Sequence, residues 1–347
     1  MMPTSASWNE RRARAPTNGT TSTTFSAMLE NLLLVSKQVG ILFALMSVGF
    51  MCNRRRIIDA VAIKGLTELL VLIVTPCIIM HSFMQQTFAP SLLGDLGWAL
   101  VASVFAHVVG SAIAILFFRN GDQRQEGVLR FAVMFSNAGF MGIPLEYAIL
   151  GPQGVFFGAM YVVVFNLACW SWGVFVMYRG AKAGGWKSIL VNPGTVGVAL
   201  GMPFFLFSIK LPDVVGVPVE MLAGLNTPLA MIMVGWYLAE SVKCKVESVK
   251  WKVESVKVVV LRLLVVPIAV IGALACARAF ISNFNPVMAV AIATAACAPV
   301  AALTTVIAAR YDRDVSMATG LVASTTLLSI LTMPPIVGFA LWLFALN

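Results

Sequence analysis

The residues best suited to chemistry lie close together in one apolar run: Ser136, Asn137, Gly139, Gly142 and Pro144. Proline removes a backbone donor and clashes one turn back, and glycine loosens the chain. A helix crossing this stretch is expected to break and restart. The restarted half presents free N–H groups and a partial positive charge, which can hold a carboxylate together with a neutral amide such as Asn137. A second break is expected at Pro299, with the hydroxyls of Thr304 and Thr305 following it. The chemistry implied is anion binding rather than bond breaking. No paired DxxD carboxylates lie within the apolar runs, no GxSx serine pairs with a histidine, and no Walker A sequence is present. These absences argue against an intramembrane enzyme and against ATP drive, and no ring of charges suggests a channel or sensor.

The elements that position these residues must be membrane helices. Of the 347 residues, 59% are hydrophobic and 11% are charged. A soluble domain carries roughly 25% charged residues, so much of this surface must face lipid. The net charge of +9 then belongs to loops, and no nucleic-acid partner is needed to explain it. The six cysteines are scattered and read as packing residues. His81 and His107 are too few and too far apart for a metal site, and no cofactor is expected.

Ten apolar segments approach the length of a spanning helix, with cores near Leu32–Met51, Leu66–Phe83, Leu92–Phe118, Val128–Leu150, Val155–Tyr178, Thr195–Ile209, Val219–Ala239, Val258–Phe280, Val287–Ala309 and Met317–Phe344. The loops after odd-numbered segments hold eighteen Lys and Arg, with Arg262 counted among them, and the alternate loops hold two. This asymmetry predicts cytoplasmic odd-numbered loops and both termini outside. Glu68, Glu146 and Asp95 fall near predicted helix ends, which leaves no coupling carboxylate at mid-membrane. Residues 1–27 read as a polar, disordered tail, with Met28 as the expected natural start. The tandem KVESVK at Lys245–Lys250 and Lys252–Lys257 reads as a duplicated amphipathic extension between two spans.

Two landmarks recur at nearly one offset. Thr75-Pro76 in segment two and Thr227-Pro228, after Asn226, in segment seven stand 152 residues apart; Pro144 and Pro299 stand 155 apart. With five segments in each half, residues 28–180 and 181–347, the second half must enter the membrane inverted. The expected fold is all-α and integral to the membrane, built as two inverted five-helix repeats. The neutral polar residues within spans include Asn166, Asn226, Ser324, Thr325 and Thr326, and each reads first as an interhelical hydrogen bond.

The run Asn137-Ala-Gly-Phe-Met-Gly-Ile-Pro-Leu145 resembles the fourth-helix signature of the auxin efflux carrier family. That family includes plant PIN carriers and bacterial malonate and malate carriers. Asn192-Pro193, Ala298-Pro299 with Ile307–Tyr311, and Ser324–Pro334 resemble other parts of it, so that the resemblance runs from Met28 to Asn347. It implies ten helices in inverted repeats, a crossover where broken helices four and nine meet, and a substrate carboxylate bound there by Asn137. Gly139, Pro144, Pro299 and Thr304 complete the candidate substrate site. Thr75, Pro76, Asn226, Thr227 and Pro228 are its candidate support, with Asp95, which resembles an acidic residue early in helix three of plant members. Val300 stands where plant members carry a polar residue, and the Arg179–Lys187 loop is short. A bacterial-type carrier of a small organic anion in the plasma or inner membrane is therefore expected, with a coupling proton or sodium ion left open and a homodimer compatible. A bile-acid-type sodium symporter is the alternative.

Overall fold

A computed structural model describes residues 21–119, 123–178, 193–243, 253–281 and 284–345. Every regular element among them is helical, apart from one isolated bridge. In order they are α1 (Thr21–Arg54), α2 (Ala60–Leu69), α3 (Thr75–Met84), α4 (Pro90–Phe117), α5 (Gln123–Met134), α6 (Ile143–Ala168) and α7 (Val174–Tyr178). There follow α8 (Pro193–Leu206), α9 (Asp213–Gly224), α10 (Asn226–Lys243), α11 (Val253–Val260), α12 (Val266–Phe280), α13 (Pro286–Cys297), α14 (Leu303–Arg310) and α15 (Val315–Ala345).

Seven stretches are long and apolar enough to cross a membrane, and α8 and α13 are shorter apolar helices. One of the seven, Ala138–Met177, covers 40 residues. At 1.5 Å per residue it would reach about 60 Å, twice the thickness of a bilayer core. It turns at Gly151, where φ is 66° and ψ is −156°, followed by Pro152. Only glycine adopts that conformation readily, so one apparent helix is two segments joined at a kink. α1 begins at Thr21, and residues 1–20 of the proposed tail lie outside the described residues. So do the Arg179–Lys187 loop and the first KVESVK copy, whereas Val253 to Lys257 of the second copy form the start of α11.

Wide turns precede three prolines. The π segments Leu70–Val74, Ala138–Gly142 and Leu261–Val265 each end two residues before Pro76, Pro144 or Pro267. The proline ring would clash with the carbonyl four residues back, at Leu72, Phe140 or Leu263, and each of these lies within its π turn. The helix absorbs the proline there by widening.

α1 lies along α10, and α8 along α3; α6 packs against α13 and α4, with α12 against α4 and α13, while α15 touches both α1 and α13. The α1–α10 pair is held at backbone contact by Gly49 and Gly235, and at one end by Asn53 Nδ2 donating to Glu240 Oε2 at 2.9 Å. The outer faces carry exposed Trp98, Val101, Val104, Phe105 and Val108 on α4 alone, an apolar stripe suited to lipid and not to water.

Candidate functional site

Both predicted breaks are present and they meet. α5 ends at Met134 and the chain resumes a helical course at Ala138; α13 ends at Cys297 and α14 starts at Leu303. Between these half-helices the two chains run antiparallel and pair. Asn137 N–H donates to Pro299 O at 2.7 Å, and Ala301 N–H donates to Phe135 O at 3.0 Å, which brackets a bridge between Ser136 and Val300. Backbone freed in a membrane protein must find partners inside the protein, and here each break satisfies the other. Thr325 on α15 completes the arrangement: its hydroxyl accepts from Val300 N–H at 3.1 Å and donates to Leu321 O at 2.7 Å. The hydroxyl that reads first as an ordinary interhelical bond is thus the acceptor that seals the second break. Thr325→Val is expected to leave Val300 N–H buried without an acceptor, at a cost of about 1–3 kcal/mol. Thr325→Ser should retain near wild-type stability. Thermal unfolding of the detergent-purified protein checks both.

The breaks leave an unusual side chain. Asn137 is 6% exposed, yet its carboxamide caps no helix N–H. Its backbone carbonyl accepts from Met141 and Gly142 N–H. Next to it, a Cβ added at Gly139 would meet no atom within 4 Å, which marks open space. Pro144 and Pro299 are buried at the two breaks. Thr304 sits buried in the first turn of α14 with its hydroxyl unpartnered. These five candidate residues all lie at the breaks or in the half-helices that follow.

The support residues divide. Thr75 and Pro76 are buried where α3 meets α8 and α6, and a Cβ at Gly197 would come within 3.1 Å of Pro76 Cα. Asn226 is buried with its amide nitrogen unpartnered; Thr227 and Pro228 are half-buried in the first turn of α10, whose body touches the Ala138–Gly142 turn. Asp95 is elsewhere. It accepts from Asn285 Nδ2 at 2.7 Å, and Asn285 in turn caps α13 by accepting from Val287 and Met288 N–H. Asp95 therefore steadies the far end of the helix that leads into the crossover and does not reach the crossover itself.

Two ionisable residues are more deeply buried than the sequence suggests. Glu146, read as lying near a helix end, is 1% exposed, in the first turn of α6. Its carboxyl fills the space over Gly158, whose added Cβ would fall 1.8 Å from Glu146 Oε2, and that oxygen has no hydrogen-bond partner among the described residues. Arg262, counted with the loop lysines, is 0% exposed inside the span Val253–Phe280. Its Nη1 donates to Val133 O at 3.1 Å and its Nη2 to Ala296 O. Tyr161, which accepts from Ser136 Oγ at 3.3 Å and holds its ring tilted 4.6 Å from that of His107, stands beside it.

Two half-helices meet inside an apolar helical chain, with the Asn137 side chain at the join, a pattern that discontinuous helices make in many transporters. The profile of the membrane transport protein family matches residues 34–184 and again residues 181–337. The chain belongs to that family, the auxin efflux carrier family, and is a multi-pass membrane protein with a small-molecule substrate. The family is one of transporters and not of enzymes. No curated protein matches the chain.

Proposed function

We propose that this protein is a secondary carrier that moves a small organic acid anion, such as a dicarboxylate, by alternating access. In this reading the chain makes ten passes as two inverted five-helix repeats, residues 28–180 and 181–347. Odd-numbered loops face the cytoplasm, and both termini lie outside a plasma or inner membrane. The double match of one family profile, the offsets of 152 and 155 residues and the antiparallel pairing of the two breaks support the repeat. The substrate carboxylate accepts hydrogen bonds from the Asn137 amide and from the first N–H groups after the break, in the space beside Gly139, with Pro144, Pro299 and Thr304 shaping the site.

The observation that carries the reading is the Asn137 carboxamide, which lies at the crossover on a residue 6% exposed and caps no helix N–H. An amide that caps no helix N–H can donate to a ligand carboxylate. Purified protein in liposomes should take up labelled malate or malonate saturably and exchange it for the unlabelled acid inside. Uptake of indole-3-acetate instead would move the substrate to aromatic acids. Absence of uptake for all three by folded protein would remove the organic-anion reading.

A further inference from the structure

Arg262 poses a problem of charge. An arginine in the hydrocarbon region is costly unless something offsets it. Its described neighbours include no paired carboxylate; the titratable groups beside it are the Tyr161 phenol and the Cys297 thiol, with the His107 imidazole near. The offset comes from the backbone. Val133 is the penultimate residue of α5 and Ala296 the penultimate residue of α13, so the guanidinium bonds one carbonyl at the C-terminal end of each broken half-helix. Those last carbonyls have no partner within their helices. Each helix end carries roughly half a negative charge, and two of them together match about one guanidinium. The breaks thus sort charge by direction: the ends that finish at the crossover are negative and face Arg262, and the ends that begin there are positive.

In ion-coupled carriers, such half-helix C-terminal ends and unwound carbonyls are what hold the sodium ion or proton. We propose that Arg262 is a resident cation: its guanidinium occupies the alkali-cation position between the ends of α5 and α13, so that this chain moves its anion without sodium. An arginine is suited to the place because it remains charged when buried and its planar fork reaches two acceptors at once. The position also has an inverted counterpart. His107 lies 155 residues before Arg262, the same offset as Pro144 and Pro299; it is buried against Tyr161, with Nδ1 2.7 Å from Ser103 O and Nε2 unpartnered. Of the two inversion-related positions, one carries a permanent charge and the other an imidazole.

The transport arm of the test rests on the organic-anion reading; the stability arm does not. Wild-type proteoliposomes should take up labelled acid equally in sodium and in choline buffer, and a dependence on sodium of tenfold or more would overturn the proposal. Arg262→Ala in choline should lose about 10- to 100-fold in uptake, the worth of one or two charge-assisted hydrogen bonds. Millimolar guanidinium or sodium should restore part of that uptake saturably. A folded Arg262→Ala protein that transports without added cation, or that no cation restores, would overturn it. Arg262→Lys, which keeps the charge if the alanine variant fails to fold, should transport without sodium, and sodium-dependent transport by it would count against the proposal. In detergent, guanidinium should raise the melting temperature of Arg262→Ala and leave that of wild type unchanged. Equal response of the two proteins would contradict a cation site even if no acid is transported at all.

Discussion

Gly235→Ala is expected to destabilise the protein by about 1–3 kcal/mol, the usual cost of overpacking, although alanine is the better helix former by roughly 1 kcal/mol. The added Cβ would fall 1.8 Å from Met46 O on α1, and the reciprocal change at Gly49 would place one 1.9 Å from Ile232 O on α10. Neither obstacle is a side chain that can swing away. Both are main-chain carbonyls, so the two helices must separate. Small residues that let backbones touch are the usual basis of helix association in lipid, where no hydrophobic drive exists between helices. Separation would also strain the Asn53–Glu240 bond and the bond from Trp236 Nε1 to Ile58 O at 2.8 Å. Gly40 on α1 is the control, because a Cβ there meets nothing within 4 Å. Gly40→Ala should be neutral or slightly stabilising. Melting curves of the detergent-purified variants separate close packing from a general intolerance of alanine.

The second large effect concerns Asn137 and turns on charge. Asn137→Ala removes a donor to a carboxylate, worth about 1.5–3 kcal/mol, or some 10- to 100-fold in transport efficiency. Asn137→Asp changes almost no volume but sets a negative charge against the substrate. At about 4 Å and an effective dielectric of 20, that repulsion is about 4 kcal/mol, near a thousandfold. A residue that only packs the crossover would give the opposite order, because the isosteric aspartate would be tolerated better than the cavity left by alanine. Initial rates of uptake in proteoliposomes, with melting temperatures as the check on folding, distinguish the two.

How much of this was legible in the sequence depends on the range of the forces involved. The breaks at Ser136–Asn137 and Pro299 were readable because proline and glycine act on their own helix, and the two Thr-Pro pairs were readable for the same reason. The widening of the helix before Pro76, Pro144 and Pro267 follows from the same local clash. Arg262 was not readable. Five lysines precede it within twenty residues, and along the chain it looks like the last member of their cluster. Its burial is decided by carbonyls of Val133 and Ala296, which are distant in sequence and open only because their helices end. Thr325 does make the interhelical bond read for it and Glu146 does lie at a helix end, but the partner of the one and the burial of the other were not readable. The role of Thr325 depends on a free N–H at Val300, and the burial of Glu146 on the space over Gly158. Gly49 and Gly235 give no separate signal, since each matters only because the other helix lies against it. Asp95 carried a resemblance but sits at the cap of α13, one helix length from the site.

The most direct test of the account is equilibrium binding of the transported acid to detergent-purified protein, compared among wild type, Asn137→Ala and Asn137→Asp. The account predicts saturable binding to wild type, binding weakened by about 10- to 100-fold in the alanine variant and lost in the aspartate variant. Equal affinity in all three folded proteins would place the anion somewhere other than the crossover and contradict the account.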